Sequence, residues 1–204
     1  MLWNAWDIRR MTEAELEETF LMLDDRKREK IEKIRQKKDK ILSLTAERMA
    51  RDMLARELDT TPSLVQFTYT PLGKPLVVSQ RPVYFNVSHA GNLAVCAVSQ
   101  KPVGIDVEII RDVPPKLAKK FFSHNEQTYI FAKPFDKIDW DMPMNQAELM
   151  RFFEVWTAKE AYLKCSGEGI AHLKSLDTTP FRFERHLLSD EYIVTIYQEK
   201  YSLF

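Results

Sequence analysis

The chain has 204 residues, of which 45% are apolar, so it is long enough to bury the core of one large domain or two small ones. Thirty basic residues balance thirty acidic ones, which excludes a global field that would attract nucleic acid or an anionic membrane. No apolar run approaches the roughly 20 residues that span a bilayer, and the first ten residues lack the apolar stretch of a signal peptide. We therefore expect a cytoplasmic protein with neither nucleic acid nor membrane as a partner.

The first hundred residues read as helices followed by strands. A short strand is predicted over residues 2–8, and Thr12 with Glu15 forms a capping box that opens a helix. Apolar residues at helical spacing predict one or two amphipathic helices over residues 24–58. Short strands are expected between residues 65 and 78, where prolines punctuate the chain.

Three strand-like runs then follow one another, over residues 83–88, 93–99 and 103–110. Short turns at HAGN and QKP separate them. Because antiparallel strands are joined by such short turns, we predict that the three runs form one antiparallel meander.

The second half repeats the order of helices and strands. One helical stretch is predicted near residues 117–131, and a long helix near residues 146–165 ends at Gly167 and Gly169. The alternating tail, FRFE and then YIVTIY, predicts a second small sheet. Helices and strands thus alternate twice, before and after about Pro102, which indicates an α+β architecture in two halves.

The cysteines and histidines are scattered along the chain. Cys96 and Cys165 lack CxxC spacing, and the four histidines form no cluster. This predicts reduced thiols that are buried as small apolar residues, and no zinc site.

Two acidic residues alternate with apolar ones in the strand VGIDVE. Asp106 and Glu108 face one side of this strand, about 7 Å apart on a rise of about 3.3 Å per residue. Like charges this close are unfavourable unless a cation or solvent compensates them. Mg²⁺, which prefers oxygen ligands, would turn the repulsion into a metal site. The alternative is an edge strand with a solvent-facing acidic surface, and the motif alone does not decide between them.

A third candidate carboxylate, together with a lysine, occurs in the long predicted helix. Trp156, Glu160 and Lys164 lie at i, i+4 and i+8 on one helical face. Glu160 could supply a third oxygen ligand, and Lys164 could contact a phosphate or a developing negative charge. The alternative is a surface ion pair of Glu160 with Lys164, with Trp156 packed in the core.

Polar and basic residues in the first half suggest an anionic ligand. Ser88 and His89 end a strand run, and neighbouring strand residues point to opposite faces, so phosphate contact is favoured over a nucleophile pair. Lys74 stands on the tight turn LGKP, and residues 26–40 hold nine basic residues against three acidic ones. The alternatives are a turn cap by Ser88, an ordinary exposed lysine and a solvated helix face.

Five ordered blocks resemble the signature of 4′-phosphopantetheinyl transferases, and the resemblance extends over nearly the whole chain. The closer resemblance is to the large monomeric type that activates peptide synthetases, including the surfactin-synthetase activator. The blocks are GKP (73–75), FNVSH (85–89), VGIDVE (103–108), FFSHNE (121–126) and WTAKEAYLK (156–164).

The resemblance implies two pseudosymmetric α+β halves, each a small mainly antiparallel sheet packed with helices, and a ligand cleft for coenzyme A between them. The N-terminal half is expected over residues 1–102, and the C-terminal half, which carries the metal ligands, over residues 103–204. The family's metal ligands match Asp106, Glu108 and Glu160 of this chain.

Further matches imply contacts with coenzyme A. The family's phosphate contacts match Lys74, Ser88, His89 and Lys164, and Lys27 and Lys30 resemble the basic residues near the 3′-phosphate of the adenosine. Glu126 matches a further acidic residue near the site. The family usually has an arginine where this chain has Leu42, before Ser43, so another residue, Lys40 or Arg48, would have to contact the 3′-phosphate.

By this resemblance, the protein transfers 4′-phosphopantetheine from coenzyme A to a serine of an apo acyl or peptidyl carrier protein. It would act as a monomer with Mg²⁺, or Mn²⁺ as the alternative metal, and release adenosine 3′,5′-bisphosphate. Either Glu160 or Glu126 would be the general base, and Lys164 would stabilise charge on the phosphoryl group. Carrier docking is expected within residues 121–150.

A Mg²⁺-dependent phosphohydrolase or nuclease and a catalytically silent binding module are the competing classes.

Overall fold

The computed structural model describes residues 1–169 and 172–199 of the chain. Residues 170, 171 and 200–204, which belong to the predicted C-terminal half, lie outside the described residues. The chain forms two compact units, Met1–Val103 and Gly104–Phe204. Both units combine helices with small sheets, which confirms the predicted α+β class. Within the described ranges, no helix has both the length and the apolar character needed to cross a membrane.

Three helices belong to the first unit: α1 (Glu13–Leu21), α2 (Asp25–Lys33) and α3 (Lys37–Leu58). The capping box predicted for α1 is confirmed, because the Thr12 hydroxyl accepts from the Glu15 amide and the Thr12 amide donates to Glu15 Oε2 at 2.8 Å. The segment predicted to hold one or two helices holds two, α2 and α3.

Five strands of the first unit form two sheets. Strands β1 (Leu2–Asp7), β4 (Tyr84–Ala90) and β5 (Leu93–Ser99) form an antiparallel sheet in the order β1-β5-β4. Strands β2 (Phe67–Tyr69) and β3 (Pro75–Val77) form a separate antiparallel hairpin. The short strands predicted near residues 65–78 are thus present as this hairpin.

The core of the first unit lies between α3 and the three-stranded sheet. Met49 and Leu54 of α3 are fully buried, and they belong to one apolar cluster with Phe85 of β4 and Cys96 of β5. Cys96 is a free buried thiol, as predicted, and so is Cys165 in the second unit. The core therefore holds β4 in a fixed position beneath α3.

The predicted meander of three strands is wrong in its third member. Strand β6 (Val103–Ile109) belongs to another sheet, of order β6-β8-β7. The reason is that both sides of β5 are occupied, one by β1 and the other by β4, so no edge of β5 remains for a further strand. The predicted turn at HAGN is also shorter, since β4 runs through Ala90 and the chain turns at Gly91, whose φ is +58°.

Among the described residues, the second unit contains three α-helices and the sheet that includes β6. The predicted helical stretch of residues 117–131 is two helices, because the first ends with Phe122 as its C-cap and Ser123 caps the start of the second. The predicted tail sheet is present, although its first strand begins at Glu184 and not at Phe181. These elements are α4 (Lys116–Phe121), α5 (His124–Phe131), α6 (Gln146–Ser166), β7 (Glu184–Leu188) and β8 (Tyr192–Gln198).

Candidate active site in the second unit

Strand β6 and helix α6 approach each other closely at Gly104. A Cβ atom at this position would lie 1.9 Å from the carbonyl oxygen of Ala161 and 2.6 Å from the amide nitrogen of Cys165. Both distances are below any van der Waals contact, so only glycine allows the two backbones to touch here. This contact brings the acidic motif of β6 next to the part of α6 that carries Glu160 and Lys164.

Asp106 is buried and forms an ion pair with α6. Its side chain is only 5% exposed, and its Oδ1 accepts a hydrogen bond from Lys164 Nζ at 2.5 Å. The burial of Asp106 does not agree with a solvent-facing acidic strand. The sequence left open that Lys164 pairs with Glu160 on the surface of α6. The contact observed here is different, because the ammonium of Lys164 reaches from α6 to Asp106 of β6.

Glu108 and Glu160 are partly buried near Asp106, and their charges act on one another. Burial, and then the charge of Asp106, raises the pKa of the Glu108 carboxyl above its ordinary value. The same two causes, in the same order, raise the pKa of Glu160, while Lys164 lowers it. The structure thus brings Asp106, Glu108, Glu160 and Lys164 together as one electrostatically coupled group, which we call the acid cluster.

The donor atoms of the acid cluster make it a candidate metal site. Over residues 1–169 and 172–199, no three Asp, Glu, His or Cys side chains have the arrangement of a metal-binding group. The chemistry of the donors nevertheless fits Mg²⁺, because three carboxylates offer only oxygen ligands and carry charge that burial makes unfavourable. The ammonium of Lys164 partly compensates this charge through its contact with Asp106.

Glu126, the other acidic residue predicted near the site, lies in a different buried network. It caps the N-terminus of α5, where its Oε2 accepts from the Ser123 amide at 2.8 Å. The same oxygen pairs with Lys159 Nζ at 2.8 Å, and both side chains are completely buried. The structure therefore places Glu126 beside Lys159 and not within the acid cluster.

Lys159 was not recognised as a functional residue from the sequence. A signal was present, since Lys159 follows Phe152 and Val155 at helical spacing and so falls on the buried stripe of α6. A lysine at a core position is rare unless it has partners. The sequence does not show those partners, because they come from distant segments of the chain.

The residues predicted to contact coenzyme A in the first unit fall into two places. Lys27 and Lys30 line a pocket together with Gly73, Tyr69 and Phe85. Lys27 also approaches the buried Glu47, with 3.5 Å between Nζ and Oε2. The basic helix α2 is therefore more than a solvated face, because two of its lysines line a concave surface.

Ser88, His89 and Lys74 lie on the strand and turn that the sequence indicated. Ser88 is buried and His89 is exposed on β4, as expected of neighbouring strand residues that face opposite sides. Lys74 follows Gly73, whose φ of +84° forms the tight turn, and the Lys74 amide donates to Thr70 Oγ1 at 3.0 Å. Both positions belong to the first unit.

The position at which the family has an arginine is closed to a ligand here. Leu42 is buried with 4% exposure. Of the two predicted substitutes, Arg48 is held by Glu18 at 2.6 Å and by Asp52 at 3.1 Å. Lys40, which is half-buried at the start of α3, is the remaining candidate for the 3′-phosphate.

Comparison with known proteins agrees with the arrangement of these residues. A sequence model of the 4′-phosphopantetheinyl transferase superfamily matches residues 102–202, and a model of the N-terminal region of 4′-phosphopantetheinyl transferases matches residues 5–101. Together the two models match almost the whole chain. The chain belongs to the 4′-phosphopantetheinyl transferase superfamily and is of the Sfp type.

Individual relatives support the enzyme class. The chain is 28% identical to 4′-phosphopantetheinyl transferase Sfp of Bacillus subtilis (strain 168), over 80% of this chain and 68% of the relative. It is 37% identical to the putative 4′-phosphopantetheinyl transferase slr0495 of Synechocystis sp., over 69% of this chain and 55% of the relative. It is 35% identical to 4′-phosphopantetheinyl transferase gsp of Aneurinibacillus migulanus, over 65% and 51% respectively. The chain spans about half the length of the latter two relatives. Because these relatives are 4′-phosphopantetheinyl transferases by name, the predicted transferase class is confirmed.

Proposed function

We propose that this protein transfers the 4′-phosphopantetheine moiety of coenzyme A to a serine of an apo acyl or peptidyl carrier protein and releases adenosine 3′,5′-bisphosphate. The observation that carries this proposal is the acid cluster, in which a buried aspartate is paired with a lysine beside two further carboxylates. Family membership supports both substrates, since relatives of this chain are named for this transfer.

The acid cluster would bind Mg²⁺ through Asp106, Glu108 and Glu160. When bound, Mg²⁺ neutralises phosphate charge and orients the phosphoryl group, which is the usual contribution of this ion to phosphoryl transfer. The chain itself supplies Lys164, whose ammonium is held near these carboxylates and is suited to stabilise charge on the transferring phosphoryl group. Mn²⁺, which also accepts oxygen ligands, is the alternative ion.

The serine that attacks the phosphorus belongs to the carrier protein, so the chain has to remove its proton. Glu160, acting through a water, is the better candidate for this general base, because it lies in the acid cluster near Lys164, which is proposed to face the transferring phosphoryl group. Glu126 is the weaker candidate, because its carboxylate is completely buried and is shared by Lys159, Ser123 and Thr178. Transfer would then break the bond between the β-phosphorus and the leaving adenosine bisphosphate.

The first unit would contribute contacts to coenzyme A. Lys27 and Lys30 line a pocket and are suited to the 3′-phosphate, while Lys74, Ser88 and His89 are proposed to contact the other phosphates. We place the N-terminal half of the enzyme at residues 1–102 and its C-terminal half at residues 103–204. A cytoplasmic location agrees with two buried free thiols, and the proposal treats the protein as a monomer.

Incubation of an apo carrier protein with coenzyme A, Mg²⁺ and this enzyme tests the proposed function. Mass spectrometry should show the carrier gaining about 340 Da, the formula mass of the phosphopantetheinyl group. A carrier whose acceptor serine is changed to alanine is the control and should gain no mass. Hydrolysis of coenzyme A without carrier loading would indicate a phosphohydrolase instead. Binding of coenzyme A without either reaction would indicate a silent binding module. Acyl and peptidyl carriers tested side by side would identify the preferred class.

Stabilisation by Mg²⁺ is expected to increase with pH. The raised pKa values of Glu108 and Glu160 mean that these carboxyls are protonated over a range above the ordinary glutamate pKa, and Mg²⁺ must displace those protons. Without metal, the contribution of Glu108 and Glu160 to the free energy of unfolding is fully present below their unfolded-state pKa. This contribution is lost as the pH rises through their raised folded-state pKa. The increase in melting temperature caused by Mg²⁺ should therefore grow as the pH rises from the ordinary glutamate pKa through the raised pKa values of Glu108 and Glu160.

Melting curves with Mg²⁺ and with EDTA, recorded in the same buffers, measure this dependence. The variant Glu160→Gln should show a smaller and flatter response, since one of the titrating ligands is missing. A shift that is equal at all pH values would contradict the assignment of these carboxylates as ligands.

A further inference from the structure

A buried lysine in α6 has all three of its hydrogen-bond donors occupied. The Lys159 side chain is fully buried, and its Nζ donates to Leu173 O at 2.9 Å, to Leu176 O and to Glu126 Oε2 at 2.8 Å. An ammonium has three donors, so this set of three acceptors satisfies it. The helix is therefore fixed to the loop of residues 173–176 by a single side chain.

The partner carboxylate is equally occupied. Glu126 Oε1 accepts from the Thr178 amide at 2.8 Å and from the Thr178 hydroxyl at 2.6 Å. Glu126 Oε2 accepts from the Ser123 amide at 2.8 Å in addition to Lys159. A carboxylate accepts about four hydrogen bonds, so these four donors satisfy the carboxylate of Glu126. The pair thus connects three segments, namely α6, the start of α5 and residues 173–178.

Stability alone is a poor reason for such a pair. Burial lowers the pKa of the Lys159 ammonium, and the ion pair with Glu126 opposes that shift. Buried ion pairs often add no stability over apolar residues of similar size, and in some proteins they serve instead to fix one geometry. The next residue in α6 is Glu160, and Lys164 follows little more than one turn later, so the rotation of α6 determines how both side chains meet Asp106.

We propose that Lys159 is a positioning residue that acts through Glu126 to fix the rotation of α6 and thereby the geometry of the acid cluster. This inference rests on the proposed function for the identity of the reaction and of the bound metal. The hydrogen bonds that Lys159 and Glu126 make are with each other and with Ser123, Leu173, Leu176 and Thr178. The effect of the pair reaches the site through the helix backbone, which presents Glu160 and Lys164 to Asp106.

The double variant Lys159→Met/Glu126→Leu tests this inference, because two apolar residues can replace the pair without leaving an unpaired charge in the core. Apparent Mg²⁺ affinity, measured by isothermal titration calorimetry, should weaken about tenfold to a hundredfold, as when partners behind metal ligands are removed. The turnover of carrier loading at saturating coenzyme A should fall as well. Glu126→Gln, which keeps the shape of the side chain, should move both quantities in the same direction.

Thr157→Val is the matched control. The Thr157 hydroxyl is also buried in α6, where it lies 2.6 Å from the Thr195 hydroxyl of β8, so its loss should lower stability without altering the acid cluster. We expect a lower melting temperature for this variant but an unchanged Mg²⁺ affinity in the same calorimetric titration. Wild-type Mg²⁺ affinity and turnover in the double variant, or in Glu126→Gln if the double variant does not fold, would overturn the positioning role. If the wild-type enzyme bound Mg²⁺ but loaded no carrier, the proposed function would fail, and the Mg²⁺ measurement would still decide the role of Lys159.

Discussion

Replacement of Asp106 by asparagine is expected to reduce carrier loading by at least about a hundredfold while the protein stays folded. The substitution preserves the size of the side chain but removes the charge that pairs with Lys164 at 2.5 Å. It also removes one proposed oxygen ligand and allows the pKa values of Glu108 and Glu160 to fall toward their ordinary value, because Asp106 contributes to raising both. Initial rates of carrier loading, measured by mass spectrometry at several Mg²⁺ concentrations, give the size of the loss.

A control for Asp106→Asn is available in the first unit. Asp7 pairs with Arg9, also at 2.5 Å, but this aspartate lies far along the chain from the acid cluster. Asp7→Asn should leave loading within about twofold of wild type, since most surface ion pairs contribute little. Wild-type loading by Asp106→Asn, with circular dichroism showing an intact fold, would contradict the role of the acid cluster in the reaction.

Replacement of Gly104 by alanine should both destabilise the protein and impair transfer. The added Cβ would lie 1.9 Å from the carbonyl oxygen of Ala161 and 2.6 Å from the amide of Cys165. Backbone atoms cannot turn away as a side chain can, so α6 has to move from β6. We expect a loss of about 3 kcal/mol in the free energy of unfolding, at the upper end of overpacked cores. Because Glu160 and Lys164 move with α6, loading should fall more than stability alone explains.

Urea unfolding and loading rates, measured at a temperature where the variant is folded, separate the two effects of Gly104→Ala. Gly169→Ala is the control, because Gly169 has a φ of +76° and its added Cβ would meet no atom of the described residues within 4 Å. That variant carries the conformational cost of an unfavourable φ, about 1 kcal/mol, without a collision. If Gly104→Ala were as stable and as active as this control, neither the stability of the protein nor carrier loading would depend on the close contact of β6 with α6.

Features set by neighbouring residues could be predicted from the sequence. The capping box of Thr12 and Glu15 and the stop of α6 at Gly167 depend on a few consecutive residues, and both are present. The pairing of β6 could not be predicted in this way, because it depends on which strand occupies the free edge of β5. That strand is β1, from the opposite end of the unit, and no local pattern reveals it.

The candidate site shows the same division between local and distant information. The spacing in VGIDVE indicated that Asp106 and Glu108 share a face, and the helical spacing indicated that Glu160 and Lys164 do. The pairing of Lys164 with Asp106 could not be predicted in this way. It depends on the close approach of α6 to β6, which is possible because Gly104 has no side chain. The partners of Glu126 were likewise out of reach, since Lys159 and Thr178 lie 33 and 52 residues away in the chain.

The two compact units are each continuous in sequence, and this continuity has a consequence for biosynthesis. All three strands of the first unit's main sheet lie between Leu2 and Ser99, and α3 lies between them in the chain. Domains generally fold as units, with the N-terminal one first, while the ribosome is still adding residues. The first unit can therefore complete its sheet as soon as Ser99 has left the ribosome, without any residue of the acid cluster and while the second unit is still being synthesised.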